Sequence, residues 1–283
     1  MKESKLHYGW VVIFMGLLTT IAAHGFGRMS YTIILPAMKD GLSFSYTQLG
    51  LLGTGNFIGY LTMAIVGGFL AARFGTRIII TAGLVLMGIT MILTGLAKSF
   101  EFAFAMRLLT GIGNGAAFVP AMALGSAWFT KKKRGFATGI VSAGIGAGTL
   151  ISGLTVPPIL SAFGAHGWRF SWYILGGAVL LISGVVFQFV RSNPQEKGLD
   201  QVGSEKSGAA QSDSSATENI SAPRWTVTVK SIIKMGSVWY LGGVYFFFGL
   251  SYIIYMVFFA AYLVKEMGLS QEWAGGLWAL VGG

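Results

Sequence analysis

The sequence predicts an all-α protein that crosses a membrane several times. Three observations carry this. First, 54% of the 283 residues are apolar and only 11% are charged, where soluble domains carry roughly 25% charged residues. So few charges do not cover a soluble surface of this size. Second, apolar stretches long enough to cross ~30 Å of hydrocarbon succeed one another along the chain. Third, the charges between those stretches are sorted by side.

The apolar stretches run over 9–35, 46–71, 78–97, 101–127, 136–160, 169–190 and 235–264, and another opens near Trp273. They predict seven full transmembrane helices and the start of an eighth. Lys2 and Lys5 precede the first stretch, and Ile21-Ala22-Ala23 resembles a signal cleavage site. The run from Tyr8 is long for a signal core and continues as a patterned helix, so the stretch is expected to remain as the first span.

Assigning the links alternately puts Lys2, Glu3, Lys5, Arg73, Arg77, Lys131, Lys132, Lys133 and Arg134 on one side, a large positive excess. The other side holds Lys39, Asp40, Lys98, Glu101, Arg169, Lys265, Glu266 and Glu272, which cancel. Short basic links stay in the cytoplasm, so the expected N-terminus is inside a bacterial inner membrane. Trp10, Trp128, Trp168, Trp239 and Trp273 fall near span ends, as interfacial anchors would. The net charge of +10 is spread over loops on one face, with no polar domain to carry it, which argues against a nucleic-acid partner. The expected partners are the lipid bilayer and a small-molecule substrate.

From Arg191 to about Pro223 the chain turns rich in Ser, Gly, Gln and Glu, the composition of a disordered linker. Trp225, Val229, Ile232 and Ile233 then recur at helical spacing with Arg224, Lys230 and Lys234 between them, which suits a short helix on the inner membrane surface. The organisation is therefore a six-helix bundle over 1–190, a cytoplasmic linker over 191–234, and the start of a second bundle over 235–283. A short repeat supports it. Lys39-Asp40-Gly41-Leu42-Ser43 closes the first span, and Lys265-Glu266-Met267-Gly268-Leu269-Ser270 closes the seventh. Two six-helix halves related by such a repeat are a transporter architecture. The second half here is one span and a fraction, so the remaining C-terminal helices are expected from a longer chain.

Cysteine is absent, and His7, His24 and His166 lie far apart, so neither a thiol nucleophile nor a zinc site is expected. No nucleophile–base pair points to an enzyme. Gly111-Ile112-Gly113-Asn114-Gly115 has no strand before it and lacks the full glycine spacing of a nucleotide loop. No cofactor is expected. Gly55-x₃-Gly59, Gly111-x₃-Gly115 and Gly144-x₃-Gly148 place small residues one turn apart, which lets helices approach closely.

Two arginines lie inside spans, each costing on the order of 2.5–3.5 kcal/mol at mid-bilayer. Arg28 stands ~27 Å along the first helix and Arg107 ~9 Å along the fourth. Thr20, His24, Arg28 and Tyr31 form one polar stripe at helical spacing; Asn56 and Tyr60 are four apart on the second helix; Asn114 shares a face with Arg107; Tyr252 lies on the seventh. No Asp or Glu lies inside a span. Two cations without an internal acid point to a small organic anion, bound bidentately through its carboxylate. Structural roles stay open beside this: Arg28 snorkelling to headgroups, Arg107 bracing neighbouring carbonyls, and His24 and the tyrosines simply packed.

The motifs carry a family resemblance. Gly68-x₃-Ala72-Arg73-x-Gly75-x-Arg77, Arg107-x₃-Gly111-x-Gly113, Trp128-Phe129 with Arg134-Gly135-x-Ala137-x-Gly139, and Gly167-Trp168-Arg169 resemble, in their order, the motifs of the major facilitator superfamily. Gly25-x-Gly27-Arg28-x₂-Tyr31, Leu35-Pro36-x-Met38 and Gly59-Tyr60-Leu61 resemble the YbfB-type subgroup of bacterial permeases. The resemblance implies twelve helices, a central cavity, alternating access driven by a gradient, and Arg28, Tyr31 and Asn56 as site residues. It makes Arg73, Gly75, Arg77 and Arg134 candidate gating residues, with fixing the topology as their other reading. The acidic position of the signature loop is Ala72 here, so the usual carboxylate contact is missing. The fifth helix lacks the Gly-Pro-x-x-Gly-Gly pattern of drug antiporters. The function expected is secondary transport of a small organic anion. A proton-coupled exporter of drugs or amphipathic metabolites is the alternative, and a non-transporting membrane sensor or scaffold the alternative of another class.

Overall fold

The computed structural model describes residues 7–204 and 235–282. Lys2, Glu3, Lys5 and the expected surface helix near Trp225 lie outside the described residues. The helices are α1 (Tyr8–Leu42), α2 (Tyr46–Phe74), α3 (Thr76–Gly95), α4 (Phe100–Trp128), α5 (Lys131–Phe163), α6 (Gly167–Phe189), α7 (Gly236–Lys265) and α8 (Gln271–Gly282). By length and composition, α1, α2, α3, α4 and the continuous stretch Lys131–Phe189, which holds α5 and α6, are apolar enough to cross a membrane. Residues up to Ser204 and those from Val257 onward form one compact unit. Glu205–Met256, which includes most of α7, is a second; within it the ring of Tyr252 stacks on Phe248.

Local chemistry starts and stops these helices. His7 caps α1 by accepting from the Gly9 N–H at Nδ1. Ser45 and Gln48 form a reciprocal capping box at α2. Ser99 caps α4, with Glu101 in its first turn, where a negative charge complements the helix dipole. α2 ends at Gly75, whose φ of +88° is strained for any residue with a Cβ. α3 and α6 cap each other. Arg77 at the start of α3 donates through Nε to the Phe187 carbonyl in the last turn of α6, 2.7 Å. Arg169 at the start of α6 donates to the Gly95 carbonyl at the end of α3, also 2.7 Å. Each guanidinium also lies over an aromatic face, Phe187 and Trp168 respectively.

Glycine sets the helix spacing. A Cβ on Gly148 of α5 would lie 2.7 Å from the Gly25 Cα of α1, and one on Gly115 of α4 would lie 2.7 Å from the Tyr60 carbonyl of α2. α5 carries α8 on its other flank, where a Cβ on Gly153 would come 2.7 Å from the Gly275 carbonyl. At the end of the molecule away from the basic links, Lys265 Nζ meets Asp40 Oδ2 at 2.7 Å, joining the ends of α7 and α1.

Two expectations are corrected. Residues 191–204 are not disordered: they fold back onto the α4–α5 link. The Val202 N–H donates to the Trp128 carbonyl, 2.9 Å, and the Thr130 N–H to the Val202 carbonyl, 3.3 Å. The polar composition hid two apolar contacts, Pro194 and Val202, which are both buried. Trp128 and Trp168 are not interfacial anchors either. Both are buried, Trp128 donating from Nε1 to the Arg191 carbonyl and Trp168 packing against Gly41. Trp239 and Trp273 are exposed.

Gly148→Val should prevent close packing of α1 on α5. Overpacking costs about 1–3 kcal/mol or more, and the expected outcome is loss of the monodisperse peak in detergent size-exclusion chromatography, with Gly139→Val, which faces open space, as the tolerated comparison.

Candidate functional site

The middle of α1, Ile21–Met29, is wound as a π-helix. Each turn there takes in an extra residue and main-chain bonds run i→i+5, as from the Ser30 N–H to the Gly25 carbonyl. Three alternate carbonyls are taken up by neighbouring helices. Asn114 Nδ2 of α4 donates to Ala23 O at 2.8 Å, Ser152 Oγ of α5 to Gly25 O at 3.1 Å, and Arg107 Nη1 of α4 to Gly27 O at 3.1 Å. Asn56 Nδ2 of α2 donates in turn to the Arg107 carbonyl, 3.1 Å. Irregular backbone is tolerated at membrane depth when it is buried in protein and satisfied in this way.

The π segment also divides the expected polar stripe. The wider winding rotates the residues C-terminal to it, so Thr20, His24, Arg28 and Tyr31 do not share one face. Thr20 is buried beside Gly144 of α5 and bonds back to the Gly16 carbonyl. Tyr31 is buried on the other side of the break, donating from its hydroxyl to Leu49 O, 2.8 Å. Its ring lies under the Arg107 guanidinium, 4.5 Å from Cζ, and Trp172 of α6 lies 5.1 Å from the same atom.

Two arginine environments result. Arg107 is 1% exposed and enclosed by Tyr31, Trp172 and the Gly27 carbonyl. Arg28 is only half-buried. Its Nη1 contacts His24 Nε2 at 3.3 Å, and its guanidinium stacks 4.0 Å over Phe57 and 5.6 Å from the Tyr60 ring, both of α2. His24 packs in turn against Phe118 of α4, centroids 4.1 Å apart, and edge-on to Tyr60 at 5.8 Å. The structure therefore brings His24, Arg28 and Tyr60 together with Phe57 and Phe118. It gathers Tyr31, Asn56 and Arg107 into a second group, with Asn114 on the π segment between them. Tyr252 belongs to the second unit. The sequence reading missed Phe57, Phe118 and Ser152. Phe118 had a signal, four residues after Asn114; Ser152 lies four after Gly148; and Phe57 lies three before Tyr60.

The candidate gating residues sit at the end carrying the basic links. A cavity of about 340 Å³ there is lined by Gly68, Ala72, Gly75, Pro120, Ser192 and Asn193, among others. Ala72, the position of the missing acid, is part of its wall. Arg77 is committed to capping α6, and its N–H is 3.4 Å from Ser192 Oγ. Arg73 and Arg134 are exposed, Arg73 over the neighbouring Phe74 ring.

Replacing Arg107 with Met should remove its hydrogen bond to Gly27 O. A hydrogen bond from a charged group contributes about 1.5–3 kcal/mol, so the detergent unfolding temperature should fall by several degrees, and Asn114→Leu should lower it in the same direction by removing the bond to Ala23 O.

The family model for the Major Facilitator Superfamily matches residues 17–283. The chain is 26% identical over 262 residues to the hexuronate transporter of Bacillus subtilis, covering 93% of this chain and 58% of that one. It is 26% identical over 253 residues to a probable sulfoacetate transporter of Cupriavidus necator, covering 87% and 55%. The crystal structure of a bacterial homologue of the human lysosomal transporter Spinster superposes with a TM-score of 0.76 at 20% identity, covering 99% of this chain and 60% of that one. The chain thus spans a little over half the length of the curated relatives it matches. A helical, multi-pass arrangement of this order, matched over nearly its whole length, places the chain in the major facilitator superfamily.

Proposed function

We propose that the chain belongs to a secondary active transporter that moves a small organic anion by alternating access, with Arg28 as the group that holds the anion's carboxylate. One observation carries the reading. Arg28 is the half-buried arginine of the core, set among His24, Phe57 and Tyr60, whereas Arg107 is closed off. A carboxylate offers two acceptors matched to the guanidinium fork. Arg107 serves as the brace of α1, because its exposure is 1% and its Nη1 is engaged at Gly27 O. His24 and Tyr60 border the anion, and Tyr31, Asn56 and Asn114 hold the helices that present it. The names of the relatives support the class of cargo, since hexuronate and sulfoacetate both carry a carboxylate.

The motif around Arg28 favours the YbfB-type subgroup within the superfamily. The basic links favour an N-terminus on the cytoplasmic side of a bacterial inner membrane. The same reading assigns 1–190 to an N-terminal bundle, 191–234 to the connection and 235–283 to the opening of a second bundle. It counts Tyr252 among the substrate-binding residues and Arg73, Gly75, Arg77 and Arg134 among the gating residues.

The test uses the full-length protein in proteoliposomes with labelled D-glucuronate and sulfoacetate. Arg28→Gln should cut uptake about 10–100-fold, the worth of a charge-assisted hydrogen bond. Arg28→Lys should fall between, because it keeps the charge and loses the fork. Undiminished uptake by the Gln variant would remove Arg28 from the site.

A further inference from the structure

At the end away from the basic links, a cavity of about 210 Å³ lies between the start of α2 and the end of α7. Its walls are Tyr46, Phe258, Ala261, Tyr262 and Glu266, all within one compact unit. The Tyr46 and Phe258 rings meet edge to face, centroids 6.4 Å apart. Glu266 stands one turn beyond Tyr262, its N–H donating to the Tyr262 carbonyl at 3.0 Å. Three aromatic rings and one carboxylate therefore border a single space.

The charged groups at the adjoining ends of α1 and α7 are Lys39, Asp40, Lys265 and Glu266. Lys265 and Asp40 neutralise each other at 2.7 Å. Lys39 Nζ lies 4.9 Å from the Tyr46 ring centroid, so this ring already attracts an ammonium. Among the described residues the Glu266 carboxylate has no hydrogen bond or ion pair; only its main chain is engaged. What remains is a free carboxylate on the cavity wall and a lysine ammonium beside the same aromatic patch. Aromatic faces with a carboxylate suit an organic ammonium, and a lysine suits a phosphate as a point charge.

We propose that this cavity holds the headgroup of a zwitterionic phospholipid, with its ammonium against Glu266 and the ring faces and its phosphate toward Lys39. Two features favour a lipid over a free amine. Tyr46 and Tyr262 are exposed, as amphipathic rings at headgroup level are. From Tyr46 the same face of α2 continues at helical spacing to Ile58, Leu61 and Ile65, all exposed, which gives an acyl chain an apolar track. The proposed cargo carries a carboxylate and needs no ammonium, so this site is separate from Arg28 and stands whether or not Arg28 holds the anion.

Native mass spectrometry of the full-length protein, delipidated in detergent, tests this with phosphatidylethanolamine and phosphatidylglycerol of identical acyl chains. Both lipids carry the phosphate, and only the first carries the ammonium. The protein should bind phosphatidylethanolamine about three- to thirtyfold more tightly, the worth of an exposed ion pair together with one cation–π contact. Glu266→Gln should erase that preference and Tyr46→Leu should reduce it, whereas Glu272→Gln at the start of α8 should keep it. Glu266 and Glu272 are both exposed, so these two variants should elute from size exclusion as the unmodified protein does. Equal binding of the two lipids would overturn the proposal, and so would an undiminished preference in Glu266→Gln. Displacement of the lipid by an equal concentration of soluble phosphoethanolamine would also overturn it, by assigning the cavity to a free amine.

Discussion

The architecture depends on satisfying the backbone of α1 at membrane depth. Without water, an unsatisfied carbonyl costs several kcal/mol, and the winding of α1 changes over Ile21–Met29. Side chains of α4 and α5 donate to its carbonyls at Ala23, Gly25 and Gly27. Because Asn56 of α2 holds the main chain of Arg107 itself, the same network fixes α2, α4 and α5 around α1. The glycine contacts are the steric counterpart. Asn114 and Ser152 are short side chains, and Ser152 reaches α1 only because Gly148 and Gly25 let the backbones meet.

That requirement separates the two membrane arginines. Both are long, forked and permanently charged. One bonds the α1 backbone within a closed aromatic shell, and the other stands half-buried against the rings of Phe57 and Tyr60. The difference is one of position on helices set by the π segment, since the residue types around the two are alike: Tyr31 and Trp172 at Arg107, Phe57 and Tyr60 at Arg28.

Helix number, order and approximate ends were legible in the sequence, because hydrocarbon thickness sets a length that apolar runs display directly. The glycine pairs were legible as well, since small-x₃-small spacing repeats at one turn. The division of labour within the site was not. A stripe at i, i+4, i+8 assumes regular winding, and nothing in Ile21–Met29 announces that the winding changes. Thr20 and Tyr31 therefore left the face that spacing had given them, while His24 and Arg28 stayed together. The fold-back of 191–204 escaped for another reason: two apolar contacts and a few main-chain bonds suffice to seat a short polar segment, and composition averages them away.

The Asp40–Lys265 contact closes the far end of the bundle lightly. Its side chains are 58% and 34% exposed, and exposed pairs of this kind are worth about 0–1 kcal/mol and are screened beyond ~8 Å at physiological ionic strength. A bond so slight acts as a bias and not as a lock. It biases the position of the two helix ends it joins by a few-fold at most, in a manner that the salt of the surrounding medium tunes.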